Sequence, residues 1–221
     1  MAVRPRGIDV VKNRSDYRGH PDSRGGFAKD FVLGRLAGFK KDMEICLSPK
    51  PSKTRKGNTH AYFPALSACF GLMEYLTALD RGNVSNGWQQ ICGWARLHLS
   101  AAEYNDHKVR VLFDAFRNSV AHRGIASGVW IDQIQGPTRG NRLTWRVTAS
   151  HRRPAIEIME APGTLKKDSP WPCSYSHRVH IHLKTLAIDL TNAATAYAEA
   201  VETDEALQDN FYRCMARLYP R

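Results

Sequence analysis

Apolar residues recur through most of the chain with the spacing of amphipathic helices. Residues 27–47 and 59–81 each carry an apolar side chain every three or four positions, which places these side chains on one face of a helix. Gly82 is expected to end the second of these helices. Gly34 and Gly38 lie in the first one, where they either weaken the helix or mark a close contact with another helix.

The helical pattern continues at residues 88–100 and 107–122 and returns near the end of the chain at 183–197 and 206–218. Asp106 directly precedes the helix at 107–122. We expect it to be the N-cap of this helix, because a side-chain oxygen at that position accepts a hydrogen bond from a free backbone N–H group of the first turn.

A different pattern occupies the region between these helices. Residues 128–134, 143–148 and 155–159 are short, rich in β-branched and aromatic side chains, and separated by Gly, Pro and Asn. They predict a small antiparallel sheet. The expected fold is therefore mainly α, a bundle of four to six helices with a small antiparallel β insert at about residues 125–182.

The chain is strongly basic, with 32 Lys and Arg residues against 21 Asp and Glu residues and a formal net charge of +11. This charge favours a polyanionic partner, because basic surface attracts phosphates and releases their counterions. It does not separate RNA from DNA or from a membrane surface. Residues 1–24 are basic with little periodicity and predict a loosely ordered N-terminal arm, which leaves residues 25–221 as the helical domain.

The five cysteines are widely spaced and odd in number, which argues against a disulfide framework or a zinc ribbon. The N-terminus lacks the apolar core of a signal peptide, and no stretch approaches the length of a membrane span. We therefore expect a cytoplasmic protein that is not membrane-bound.

The helix at 107–122, called the motif helix below, carries Arg117, Asn118 and His122 near its end. On a regular helix Asn118 and His122 share a face, whereas Arg117 and His122 diverge by roughly 140°. Arg117 and His122 can meet on one phosphate only if the helix ends or kinks near Val120, or if a second copy of the chain supplies the partner group. Alternatively, Arg117 caps the helix and His122 hydrogen-bonds locally, near the negative end of the helix dipole.

The Arg-Asn-x-x-x-His pattern of Arg117, Asn118 and His122 resembles the signature of the HEPN superfamily (higher eukaryotes and prokaryotes nucleotide-binding). The resemblance implies a helical bundle over roughly residues 25–124 and 183–202. It also implies a metal-independent endoribonuclease without a cofactor, which pairs as a homodimer so that two motifs share one cleft.

The implied reaction is RNA cleavage by the substrate's own 2′-hydroxyl, which leaves a 2′,3′-cyclic phosphate. His122 suits proton transfer because its ordinary pKa lies near neutrality. Arg117 would stabilise the phosphate oxygens, and Asn118 would orient His122 or hold a phosphate oxygen. The alternative is a non-catalytic HEPN module for dimerisation or nucleotide binding in a toxin–antitoxin or phage-defence system, with an antitoxin or regulatory protein as a partner.

Two further interpretations concern charged groups near the motif. Glu74 lies beside the apolar stripe of its helix and either pairs with a basic group such as Arg117 or is exposed. Basic residues near the predicted strands would contact RNA, with Trp130 and Trp145 stacking on bases, unless these tryptophans simply pack in the sheet. The expected RNA-binding residues are Arg123, Arg142, Arg146, Arg152 and Arg153.

His180 and His182 point to the same face if their segment is a strand, and this spacing can bind a transition metal. No carboxylate or cysteine cluster accompanies them in the sequence. We therefore predict no metal site.

Overall fold

The computed structural model describes the backbone of residues 23–48, 50–51, 58–59, 61–118, 120, 129–130, 141–164 and 174–219. The predicted basic arm lies almost entirely outside this part of the chain. No helix within it is long and apolar enough to cross a membrane.

The described helices follow the order of the predicted ones. They are α1 (Ser23–Leu47), α2 (Tyr62–Arg81), α3 (Trp88–His98), α4 (Asp106–Val111), α5 (Leu183–Thr203) and α6 (Glu205–Leu218), and α4 continues directly into a π-helix at Leu112–Arg117. Two very short strands, β1 (Lys50–Pro51) and β2 (Asn58–Thr59), pair antiparallel between α1 and α2. The prediction of a mainly helical fold is therefore confirmed.

The observed helix ends agree with the predicted end of α2 and correct the predicted N-cap of α4. Gly82 ends α2 with φ of 64°, a left-handed conformation that glycine adopts without steric cost. The N-cap of α4 is Asn105 rather than Asp106, because the Asn105 side chain accepts the hydrogen bond from the Lys108 backbone N–H at 3.1 Å. The motif helix therefore begins one residue earlier than predicted.

Helices α1, α2, α5 and α6 pack around one apolar core. Phe27 and Phe31 of α1 both contact the ring of Phe211 edge-on, at 6.5 and 5.8 Å between ring centroids. The close helix contact lies at Gly25, where an added Cβ would come within 2.1 Å of the Glu202 carbonyl oxygen at the end of α5.

Gly34 and Gly38 are exposed, and a Cβ added to either would meet no described atom within 4 Å. They do not mark a close contact between helices. Their contribution to α1 is the lower helix propensity of glycine.

The β insert contains four described strands: β3 (Val129–Trp130), β4 (Asn141–Thr148), β5 (Ile156–Thr164) and β6 (Ser174–His182), in the order β3-β4-β6-β5. Strands β4 and β6 pair in parallel, so the sheet is mixed and the prediction of an antiparallel sheet was wrong. The reason is geometric. Strands β4 and β5 run in opposite directions, and β6 lies between them, so β6 must be parallel to one of the two.

One face of the sheet packs on the helical bundle. Leu143, Ile156, Val179 and Ile181 are buried on this inner face and belong to the same core as the helices. Because side chains alternate along a strand, the intervening residues of β4, β5 and β6 lie on the opposite, outer face. Helix α5 follows β6 without a loop, which ties the sheet directly to the bundle.

Candidate functional site

The motif helix does not keep α-helical geometry up to its functional residues. From Leu112 to Arg117 it is a π-helix, and the Asn118 backbone N–H donates to the Phe113 carbonyl five residues earlier. This wider turn changes the direction in which Arg117 projects relative to a regular helix. The predicted motif helix is therefore irregular before Arg117, and this irregularity falls at the predicted site, as short π segments often do.

The Arg117 guanidinium contacts the Glu74 carboxylate of α2 through two nitrogens. Nη2 lies 2.9 Å from Oε1, and Nε donates to Oε2 at 3.3 Å. Both side chains are partly exposed, at 38% for Arg117 and 25% for Glu74. Of the two alternatives for Glu74, the pairing with Arg117 is the one observed.

The third nitrogen of the same guanidinium contacts the side chain of Asn118. Arg117 Nη1 donates to the Asn118 side-chain oxygen at 2.9 Å. A guanidinium carries five N–H donors, and these contacts to described residues use three of them. One N–H on each Nη nitrogen has no acceptor among the described residues and can donate to an oxyanion.

A groove of about 340 Å³ lies beside this cluster, between α2 and the motif helix. It is lined by Ser67, Phe70, Gly71, Glu74, Phe116, Arg117 and Val120. Phe116 is buried, and the ring centroids of Phe63 and Trp145 each lie 5.7 Å from its own. The groove thus places one guanidinium next to buried aromatic side chains.

Only some of the other predicted catalytic and RNA-binding residues lie in the described part of the chain. His122 and Arg123 lie outside the described residues. Arg142 and Arg146 are exposed on the outer face of β4, and Arg152 is exposed in the connection that follows. Their contact with RNA stays a prediction.

Arg153 differs from these arginines because it is held by two carboxylates. Its guanidinium contacts both Asp189 oxygens, at 2.7 and 3.1 Å, and Glu103 at 2.8 Å. Hydrogen bonds from Arg153 to Asp189 and then to Glu103 are the main reasons why its pKa is raised. Tyr104 donates to the same Asp189 at 2.6 Å. This network joins the start of β5 to α5.

The two tryptophans of the insert, Trp130 and Trp145, were expected either to stack on RNA bases or to pack in the sheet. The Trp145 ring is partly buried and packs against Phe116, which corresponds to the sheet-packing alternative. The Trp130 side chain lies outside the described part of the molecule.

The structure also brings together three groups that sequence reasoning separated. Glu157 of β5 is the cross-strand partner of His180, and His182 follows on the same outer face of β6. The inference that no carboxylate accompanies His180 and His182 was therefore wrong. The alternation Ile156-Glu157-Ile158 already indicated that Glu157 faces outward, but the pairing register that sets it opposite His180 cannot be read from the sequence.

The surroundings of His180 favour its neutral form. Its pKa is lowered first by burial and then by the neighbouring His182 and Arg146, while Glu157 opposes this shift. The rings of His180 and His182 lie 4.1 Å apart between centroids.

No protein-family model, curated protein or solved structure significantly matches this chain.

Proposed function

We propose that the protein is a metal-independent endoribonuclease of the HEPN type, in which Arg117, Asn118 and His122 act on an RNA phosphodiester. The observation that carries this proposal is the set of contacts made by the Arg117 guanidinium. Glu74 and Asn118 fix its guanidinium beside a groove, and two of its N–H donors have no acceptor among the described residues.

The remaining N–H donors of Arg117 would bind non-bridging oxygens of the phosphate. Charge grows on these oxygens as the substrate's 2′-oxygen attacks phosphorus, so a fixed cation stabilises the transition state more than the ground state. Arg117 cannot be the base because it stays protonated. Pairing with Glu74 removes the entropic cost of ordering the long side chain at the moment of reaction.

Proton transfer is assigned to His122. One imidazole takes the proton of the 2′-hydroxyl, the bond from phosphorus to the 5′-oxygen breaks, and an imidazolium returns a proton to that departing oxygen. The products are a 2′,3′-cyclic phosphate and a 5′-hydroxyl end. In a homodimer, His122 of each copy would perform one of the two transfers.

The groove and the overall charge support an RNA substrate. The groove opens beside Arg117, so a nucleotide can occupy it while its phosphate meets the guanidinium. The net charge of +11 favours a polyanion at long range.

The test is cleavage of mixed RNA in EDTA by untagged protein and its Arg117→Ala and His122→Ala variants. Each substitution should lower the rate at least about 100-fold, since each removes a transition-state interaction. Arg117→Lys should also lose activity, because it keeps the charge but not the fork. Arg81→Ala is the matched control. Arg81 is exposed on the same α2 helix, about 10 Å beyond Glu74, and its loss should leave cleavage unchanged.

The second candidate is a non-catalytic HEPN module for dimerisation or nucleotide binding in a toxin–antitoxin or phage-defence pair. It is favoured by the Arg117–Glu74 contact, because a guanidinium bound to a carboxylate can serve structure alone. In that case the protein dimerises or binds a nucleotide but does not cleave RNA. Cleavage that survives both Arg117→Ala and His122→Ala would refute the nuclease assignment for this site.

A further inference from the structure

Three side chains on the outer face of the β insert converge on one point. Glu157 comes from β5, and His180 and His182 come from β6. One ligand atom from each lies within 4.8 Å of the other two. We propose that Glu157, His180 and His182 bind a divalent transition-metal ion of the zinc class.

The separations fit shared coordination better than direct hydrogen bonding. Glu157 Oε2 lies 3.7 Å from His180 Nδ1 and 3.8 Å from His182 Nε2. Both distances exceed the range of a hydrogen bond. With metal–ligand bonds of about 2.0–2.2 Å, two ligands of one tetrahedral zinc ion are ~3.4 Å apart. Small side-chain rotations would therefore close the site around an ion.

The Thr148 and Ser150 hydroxyls hold the His182 ring from the side of its Nδ1 atom. Thr148 Oγ1 lies 2.6 Å from Ser150 Oγ, which in turn lies 2.5 Å from His182 Nδ1. The other ring nitrogen, Nε2, therefore faces Glu157, and it offers a lone pair to an ion when the ring proton is on Nδ1.

The Nε2 atom of His182 is buried and lies near a carboxylate. His182 is only 2% exposed, and its Nε2 has no hydrogen-bond partner among the described residues. An unsatisfied buried nitrogen is unfavourable. A cation between Nε2 and Glu157 removes this cost. The Ser150 contact then has the role that outer-shell partners have at metal sites, where the second ring nitrogen of a ligating histidine is held by a hydrogen bond.

The donor set selects the class of ion. Two imidazole nitrogens and one carboxylate suit zinc and its neighbours in the first transition row, whereas magnesium and calcium prefer oxygen ligands. Three protein ligands leave a position for water or another molecule. His180 and Glu157 are partly exposed, at 12% and 26% of their side chains, so an ion can enter from solvent.

The site is separate from the proposed ribonuclease chemistry, which uses no metal, so its test requires no RNA. Untagged, chelator-stripped protein is titrated with Zn²⁺ by calorimetry, and with Co²⁺ by visible absorption, which reports the coordination geometry. We expect one ion per chain at this site and no comparable binding of Mg²⁺. Glu157→Gln and His180→Ala should weaken Zn²⁺ binding at least tenfold, and Ser150→Ala by about tenfold through the lost outer-shell contact.

His177→Ala is the matched control, because His177 lies on the same strand but on the opposite face. It should bind Zn²⁺ as the parent does. Substitution of buried His182 risks unfolding, so Glu157→Gln and His180→Ala, checked by circular dichroism, carry the test. The proposal is overturned if folded Glu157→Gln and His180→Ala variants both bind Zn²⁺ as tightly as the parent, or if the parent binds none.

Discussion

Arg117 and Glu74 are 43 residues apart in the chain, yet two nitrogens of one contact two oxygens of the other. This contact joins α2 to the π-helical end of the motif helix and forms one end of the groove between them. The same guanidinium also donates to Asn118, so two of the three motif residues share one hydrogen-bonded cluster.

The Arg117–Glu74 pair should show measurable but modest coupling. We expect a double-mutant cycle of Arg117→Ala and Glu74→Ala to give a coupling energy of about 0.5–1 kcal/mol, since the geometry is bidentate but both side chains are partly exposed and screened by water. Urea unfolding of the four proteins measures it. Additive effects of the two substitutions would mean that the contact contributes nothing to stability.

Two glycines of α1 should respond in opposite directions to alanine. Gly25→Ala should destabilise the fold by about 1–3 kcal/mol, because the new Cβ would collide with the Glu202 carbonyl oxygen and force α1 away from α5. Gly34→Ala should stabilise by up to about 1 kcal/mol, since Gly34 is exposed and alanine is the better helix former. A urea midpoint of Gly25→Ala equal to or above that of the parent would contradict the close contact at Gly25.

The network around Asp189 should be sensitive to the loss of either partner. Tyr104→Phe removes a hydrogen bond from a buried hydroxyl to a carboxylate and should cost about 2 kcal/mol of unfolding free energy. Asp189→Ala should cost more, about 3 kcal/mol, because it leaves the buried Tyr104 hydroxyl without its acceptor and Arg153 with Glu103 alone.

An exposed ion pair provides the control for the Asp189 network. Arg96 and Asp106 lie 3.4 Å apart with about half of each side chain exposed. Arg96→Ala should change the unfolding free energy by less than about 0.5 kcal/mol. If Arg96→Ala costs as much as Asp189→Ala, burial is not what makes the Asp189 network important.

Stability should decline in alkaline solution through the buried thiol of Cys214. Burial raises its pKa from 9.0 to about 11, so the unfolded chain ionises this thiol at a lower pH than the folded protein does. The stabilising contribution is complete below pH 9 and is lost as the pH rises to about 11. Unfolding free energies at pH 8, 9.5 and 10.5 should fall less steeply in Cys214→Ala, by up to about 1.4 kcal/mol per pH unit. Identical slopes in the two proteins would exclude Cys214 as a source of the decline.

Much of the helical architecture could be predicted because its signals are local. The three- and four-residue apolar spacing identified α1, α2, α5 and α6, and Gly82 marked the end of α2 in the expected left-handed conformation. The one-residue error at the N-cap arose because Asn105 and Asp106 are both good caps, and only the observed hydrogen bond to Lys108 distinguishes them.

The features that the sequence did not predict depend on contacts between residues that are distant in the chain. The strand segments were recognised, but the insertion of β6 between β4 and β5, which makes the sheet mixed, depends on how three segments pack together. The π-helical turn before Asn118 leaves no mark in the apolar spacing. Helical periodicity gave a regular helix there instead.

The sequence by itself determined the basic charge, the amphipathic helices and the presence of Arg117, Asn118 and His122 in one short motif, because these follow from residue type and near-neighbour spacing. Only the tertiary structure decided that Glu74 fixes Arg117 beside a groove and that Glu157 stands opposite His180. The physical reason is that hydrogen bonds and ligand geometry are short-ranged in space. Folding alone brings together side chains that the sequence places far apart.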